Sequence, residues 1–332
     1  MKIFISIASY QDPFLIKTIK SAYENAANKD SLIFGICDQS EKELELDTLP
    51  FASQIKYEHV DTIFSRGPCW ARQRIQELFS DEDYYFQIDS HTIFDQSWDS
   101  VLIENLEKIK EIGQEDEYFL KPFITGYPRA FDINDDSTLV KKSEDKNVMP
   151  IAFRKDSLFI KDRFSRQIGL RTNKNDISHG FLLAAGCFFS EGDLIKEVPY
   201  DYRYYFYGEE ISLMLRLFTR GYSAFHIPDL PVYHLYNNDG VKNNRLLHWD
   251  PKEDENRAIK WRELESNGIK RLSDLINGDI NGKFGLGNIR TLDDFERLSG
   301  MDIINKAILN EERAVTKNFF EELDWRENPL SN

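Results

Sequence analysis

The sequence predicts an open α/β sheet flanked by helices, with a helical appendage at the C-terminal end. Three observations carry that reading. Strand-like and helix-like segments alternate as βα units through the first ninety or so residues. The strand-like segments are continuously apolar, as strands covered on both faces are. After Asp250 the composition shifts to charged helix broken by Gly and Asn turns. The first strand is "KIFISIAS". "YQDPFLIKTIKSAYENA" follows as a helix, with Asp12 as N-cap, Pro13 at the first helical position, and Ile16, Ile19, Tyr23 and Ala26 on one face. "SLIFGICD" is a strand ending on Asp38, and "IKYEHVD" is a shorter one. "SRGPCWARQRIQELFSD" is a helix with Pro68 in its first turn and Ala71, Ile75, Leu78 and Phe79 along one side. "YYFQIDS" is the next strand. Ligands of such sheets sit beyond the carboxyl ends of the strands, where Asp38 and Asp89 both fall.

Further along, Lys141 to Asn147 is charged and poor in apolar residues and reads as a mobile loop, and Arg163 to His179 reads the same way. Apolar character resumes in "GFLLAAGCFFS". "EEISLMLRLFTRGY" is a helix with Ile211, Met214, Leu215 and Phe218 inward and Gly221 as its stop. "SAFHIPDLPVYHLY" supplies one or two strands. The expected division is a catalytic or binding unit over 1–250, its halves meeting near residue 100, and a helical extension over 251–332. "GLGNIR" has two of the glycines of a dinucleotide loop but no third and no preceding strand, so it is not one.

Composition narrows the function. A chain of 332 residues with 41% hydrophobic and 13% aromatic residues can bury a large core. Its net charge of −15 repels a phosphate backbone, which argues against a nucleic-acid partner. The longest apolar stretch, "FLLAAGCFF", falls far short of the roughly 20 residues of a membrane-spanning helix, so no integral membrane segment is expected. "MKIFISIASY" reads as a strand rather than a signal peptide. Cys37, Cys69 and Cys187 form neither a CxxC pair nor an even disulfide set, which fits the cytoplasm.

The chemistry concentrates where apolar runs end. "QIDSH" closes a buried strand on Asp89 and His91, which alternation places on one side, so both can reach one ion. A carboxylate with an imidazole suits Mn²⁺ or another divalent cation such as Mg²⁺. The plainer reading is that Asp89 caps a turn and His91 packs on the sheet. A second imidazole, His234 in "PVYHLY", also ends an apolar run. The acid pair of "YGEEIS", Glu209 and Glu210, stands at a helix start, where the macrodipole alone accounts for negative charge. Adjacent side chains diverge, so one of the two can face a cleft. Arg66, before Gly67 and the helix start, is either a phosphate contact or a surface arginine.

Taken in order, "SIASYQDP", "SRGPCWAR", "QIDSH", "EVPYD", "YGEEISLMLRLFTRGY" and "VYHLY" resemble the glycosyltransferases related to the enzyme that adds N-acetylglucosamine to hydroxyproline on the cytoplasmic ubiquitin-ligase subunit Skp1. The resemblance runs from Lys2 to about Tyr236, and "FGLGNIRTLDDFERLSG" is similar to a later segment of that family. It implies a GT-A fold (a Rossmann-like open mixed sheet flanked by helices), a UDP-sugar donor, a divalent metal, retention of anomeric configuration and transfer to a hydroxyl. By resemblance, Asp89, His91 and His234 hold the metal. Ser9, Tyr10 and Asp12 lie nearest the uridine, Asp38 and Asp89 face the donor, and Arg66 and Arg72 contact phosphate or ribose. Glu209 or Glu210 stands near the sugar or the acceptor. Tyr236 occupies a position where the eukaryotic members tend to carry Trp. The implied reaction moves GlcNAc from UDP-GlcNAc to a hydroxyl of a protein (hydroxyproline, Ser or Thr) or of a glycan, with residues 130–180 choosing the acceptor. Two alternatives share these residues: an enzyme that extends a bacterial surface polysaccharide, and a nucleotide-sugar-binding protein that has lost catalysis.

Overall fold

The structure, a computed structural model, describes residues 1–113, 115–134, 138–143, 145–157, 166–236 and 246–331. The strands are β1 (Ile3–Tyr10), β2 (Leu32–Gln39), β3 (Ile55–Val60), β4 (Tyr84–Asp89), β5 (Thr92–Phe94), β6 (Lys121–Thr125), β7 (Arg129–Ile133), β8 (Leu139–Lys141), β9 (Ile151–Phe153), β10 (Gln167–Gly169), β11 (Ser178–Gly180), β12 (Cys187–Glu191), β13 (Tyr222–His226) and β14 (Val232–His234). The helices that matter here are α1 (Leu15–Asn25), α2 (Pro68–Gln76), α3 (Trp98–Ile112), α4 (Leu194–Glu197), α5 (Glu209–Thr219), α6 (Pro251–Glu255), α7 (Trp261–Ile276) and α8 (Leu292–Ser299).

One mixed sheet runs in the order β11-β13-β6-β12-β4-β1-β2-β3. β3, β2, β1 and β4 are mutually parallel, and β12 runs antiparallel to β4. β1 is therefore flanked by β2 on one side and β4 on the other, and at its carboxyl end the connections diverge to open a crevice. The continuous apolar runs of β1 and β2 match their burial on both faces, with Ile5, Ile7, Phe34 and Ile36 fully inaccessible. A smaller sheet, β5-β14-β7-β8, stands beside it.

Three expectations shift. Helix α1 starts at Leu15, two residues late, because Asp12 and Pro13 form a lead-in turn in which the Asp12 carboxylate accepts from the Phe14 amide. Its buried face is Leu15, Thr18, Ile19 and Ala22, while Ile16 and Tyr23 sit at the margin. Second, the described part of Arg163 to His179 is not loop throughout. β10 pairs with β9, and β11 joins the edge of the main sheet, because Ile177, Ser178 and His179 are buried against β13 and the last turn of the chain. Third, of Lys141 to Asn147, Lys141 ends β8; Glu144 and residues 158–165 lie outside the described residues.

Helix α5 is as expected: Ile211, Met214, Leu215 and Phe218 are buried, and Gly221 ends it at φ +87°, a conformation costly for any other residue. The chain after Asp250 packs into the same core, since Leu272, Phe295 and Leu298 cluster with Met214, Leu217 and Phe218 of α5. Among the described residues, no helix is long and apolar enough to cross a membrane.

Candidate active site

The crevice at the carboxyl end of β1 is a cleft of about 260 Å³. Ser9, Tyr10, Asp12, Gln39, Arg72, Asp89, His91 and His234 line it, as do Leu246 to Trp249. Backbone register builds it. Ala8 sits beside Asp89 across β1 and β4, and Ser9 beside Asp38 across β1 and β2. The β5–β14 pairing sets His234 opposite Thr92, and the Leu235 amide donates to the His91 carbonyl at 3.0 Å. Residues over 140 positions apart in the chain thus meet: one ligand atom from each of Asp89, His91 and His234 lies within 4.8 Å of the others.

The approach of β12 to β4 leaves Gly186 next to Asp89. A Cβ on Gly186 would stand 2.5 Å from Asp89 Oδ2, so only glycine leaves that oxygen open. The cluster is oriented from behind. His91 Nδ1 lies 2.6 Å from Asp12 Oδ2, which also accepts from Ser90 Oγ at 2.7 Å. Burial works to raise the pKa of Asp12, but these bonds outweigh it and hold the group below the ordinary carboxylate range. An ionised carboxylate only accepts, so His91 carries its proton on Nδ1 and presents Nε2 as the free lone pair. The opposing trend at Asp89 is stronger: burial raises its pKa, while the His234 bond (Nε2 to Oδ2, 3.1 Å) and Arg72 drive it well below the usual range.

Arg72 lies on the cleft floor. Helix α2 begins at Gly67, whose φ of +87° and close approach to the Tyr205 ring admit no side chain, and Pro68 sets the first turn. One turn on, the Arg72 guanidinium enters the interior at 3% exposure. It donates to Asp89 Oδ1 at 2.9 Å, to Tyr200 Oη at 3.2 Å and to Glu209 Oε1. Tyr200 Oη in turn donates to Glu209 at 2.7 Å and accepts from Gln87 at 3.1 Å.

The acid pair diverges. Glu209 is buried in this Arg72–Tyr200 network. Glu210 faces a second cleft, accepting from the Ala185 amide at 2.9 Å and from Gln167 Nε2 at 2.8 Å. Burial raises the Glu210 pKa from 4.5 to about 7, with the Ala185 amide opposing and Glu209 assisting.

Two sequence candidates stand apart. Arg66 is exposed, its guanidinium 5.8 Å from the Trp70 ring, and is not among the residues lining the cleft. Asp38 is buried one residue short of the lining, accepting from Ser40 Oγ at 2.7 Å and Tyr57 Oη at 3.0 Å. Its neighbour Gln39 takes the lining position instead. Other residues carried no local signal. His248 accepts at Nδ1 from Tyr205 Oη at 2.7 Å and from Arg257 at 3.2 Å. Its proton is therefore on Nε2, which donates to Ser65 Oγ at 2.9 Å, and Ser65 donates to Gln39 at 2.6 Å. Burial and then the Arg257 charge push the His248 pKa down to about 3, so this ring stays neutral. Tyr200 lies in "EVPYD", and only its pairing with Glu209 reveals a part in the site.

The crystal structure of GalNAc-T7 with UDP, GalNAc and Mn²⁺ is similar at a TM-score of 0.55 and 15% identity, covering 84% of this chain and 57% of that one. The chain thus spans little more than half the length of that protein. S. aureus TarS 1-349 in complex with UDP-GlcNAc gives a TM-score of 0.41 and 12% identity over 83% of this chain and 73% of that one, a likeness too slight to carry weight. No curated protein matches the sequence. The architecture is that of the GT-A glycosyltransferases. A protein-family profile described as Glycosyltransferase (GlcNAc) matches residues 2–49 and 41–305. With nearly the whole chain inside that match, the protein belongs to the Glycosyltransferase (GlcNAc) family.

Proposed function

We propose that this glycosyltransferase moves a sugar, GlcNAc in the first instance, from a UDP-sugar to an acceptor hydroxyl, with a divalent cation held by Asp89, His91 and His234. The observation that carries it is the convergence of those three side chains beside β1 with Asp12 orienting one of them. The donor set fits Mn²⁺ or Mg²⁺: one ionised carboxylate, an imidazole whose tautomer is fixed by a carboxylate behind it, and a glycine that leaves the carboxylate oxygen open. When bound, such an ion neutralises charge developing on a departing diphosphate. Ser9, Tyr10 and Gln39 border the cleft on the β1–β2 side, which suits a nucleoside. Arg72 fixes Asp89 rather than reaching freely for phosphate, and its charge offsets the carboxylates of the floor.

Glu209 is committed to Arg72 and Tyr200, so we assign retention to a same-face exchange. The bond from the anomeric carbon to the diphosphate oxygen breaks, a bond from that carbon to the acceptor oxygen forms, and the hydroxyl proton passes to the departing diphosphate. Glu210, at the border with the second cleft, orients a hydroxyl of the sugar or acceptor. The buried free thiols Cys37, Cys69 and Cys187 favour the cytoplasm as the setting.

The test is Mn²⁺ binding by calorimetry alongside UDP release from UDP-sugars. Chelation is expected to abolish release and Mn²⁺ to restore it. Asp12→Asn, which removes the carboxylate behind His91, is expected to weaken Mn²⁺ binding by about 10-fold or more. Full release in excess chelator, or unchanged Mn²⁺ affinity in Asp12→Asn, would remove the metal from the reading.

A further inference from the structure

A second cleft, of about 610 Å³, opens beside the first and shares Phe206 and Trp249 with it. Its wall is aromatic: Tyr127, Tyr207 and Trp261 join the shared pair. Phe206 and Trp249 are 42% and 41% exposed, and their rings meet edge to face at 4.9 Å, so two large apolar faces are held toward solvent at the junction. Exposed aromatic surface that is both concave and rigidly paired marks a binding site rather than core. Polar groups converge on the same space. Glu210 reaches it with its carboxylate anchored by the Ala185 amide, Gln167 stands beside Glu210, and Glu265 and Trp261 line it as well.

We infer that this cleft binds the acceptor, and that the acceptor is a neutral saccharide. The inference rests on the donor reading of the first cleft. Ring faces suit the apolar C–H face of a pyranose, and carboxyl and amide oxygens suit its hydroxyls, since those oxygens accept and a sugar hydroxyl can always donate. The pairing of both chemistries in one concave site is what a sugar ring presents at its face and at its edge. The net charge of −15 on the chain disfavours a polyphosphate acceptor, and the cleft's own charged residues, Glu210 and Glu265 beside Arg166, supply no positive excess to attract one. Contiguity supplies the rest. A saccharide stacked on Trp249 and Phe206, which both clefts share, would bring its terminal hydroxyls to the mouth of the first cleft, where a donor sugar would end.

Three measurements on the full chain test this in order. UDP binding with Mn²⁺ comes first, by calorimetry; its absence would sink the donor reading and this inference together. UDP release is then followed with added neutral saccharides (chitobiose, lactose, maltose), with peptides bearing hydroxyproline, Ser or Thr, and with an anionic glycerol-phosphate oligomer. At least one saccharide is expected to stimulate release several-fold over donor hydrolysis and to show saturation-transfer NMR signals. Stimulation by peptides or by the oligomer alone, or by no saccharide, with UDP binding intact, would overturn the inference and leave the donor reading standing. Last, Trp261→Ala is expected to raise the saccharide KM about 10-fold, the scale of one lost ring contact, and Trp261→Phe to recover most of it. Equal KM values in wild type and Trp261→Ala would also overturn it.

Discussion

Glu209 and Glu210 are neighbours in sequence with opposite physical situations. Glu209 sits inside an ion pair with a guanidinium that is 3% exposed, so removing its charge leaves Arg72 short of a partner in the interior. Breaking such a pair costs about 3–5 kcal/mol, a large share of the ordinary stability of a domain. Glu210 carries the reverse cost, because its folded-state pKa is raised from 4.5 to about 7. A raised pKa means the folded state holds the proton more tightly. Its contribution is therefore fully present below 4.5 and is lost as pH rises through about 7. Glu209→Gln is expected to lower the Tm. Glu210→Gln keeps the low-pH level, so its stability relative to wild type is expected to climb between pH 5 and pH 8, by an amount on the order of 1–3 kcal/mol, and its Tm to rise with it. Melting curves at both pH values decide it; parallel behaviour of the two variants would show that the acids share one environment. The sequence placed both at a helix start near the site but could not separate them, because Arg72, Tyr200 and Ala185 come from other elements.

At the scale of elements, what was legible was whatever depends on local pattern. The apolar runs of β1, β2 and β4 and the periodicity of α5 mark buried elements wherever the chain takes them. What was not legible depends on register. Asp12 looks like an N-cap because Pro13 follows it, and the lead-in turn appears only when Ser90 and His91 arrive to occupy its carboxylate. The edge strand β11 reads as loop because "ISHG" is short and polar, and it is strand only because β13 lies alongside. Gly186 is the sharpest case. Its place opposite the end of β4 follows from the antiparallel pairing of Cys187 with Ile88, and a methyl there would press on Asp89 Oδ2. Gly186→Ala is expected to weaken Mn²⁺ binding by about 10-fold or more, through displacement of a ligand, while destabilising the fold by only about 1 kcal/mol. Calorimetric titration of Mn²⁺ with a parallel melt separates these; a lowered Tm with unchanged Mn²⁺ affinity would show that the β12–β4 approach serves packing alone.

At the scale of the whole molecule, the chain after residue 250 looks like an appendage by composition and behaves as part of the fold by contact. Glu253 accepts from Tyr10 Oη at 2.7 Å, and Arg257 donates to Tyr10 Oη at 2.8 Å and to the His248 carbonyl at 2.7 Å, so helix α6 is tied to the carboxyl end of β1 and to a segment that lines the first cleft. Helices α7 and α8 place Leu272, Leu275, Phe295 and Leu298 in the interior at 4% exposure or less. Farther on, Phe320 stacks on Phe181 at 5.4 Å, and Trp325 is buried with its Nε1 donating to Asp176 at 3.0 Å. Each such side chain contributes about 1.5–3 kcal/mol on burial, so the six together are on the scale of the whole roughly 5–15 kcal/mol that a domain holds in reserve. Truncation after Asp250 is therefore expected to yield an unfolded or aggregating chain rather than a smaller enzyme. The point substitution Arg257→Ala, which cuts one tie while leaving the hydrophobic contacts, is expected to keep the fold and weaken UDP binding by loosening Tyr10 and His248. A soluble 1–250 fragment with wild-type UDP affinity would show instead that the site is complete without the later helices and that their packing is incidental to it.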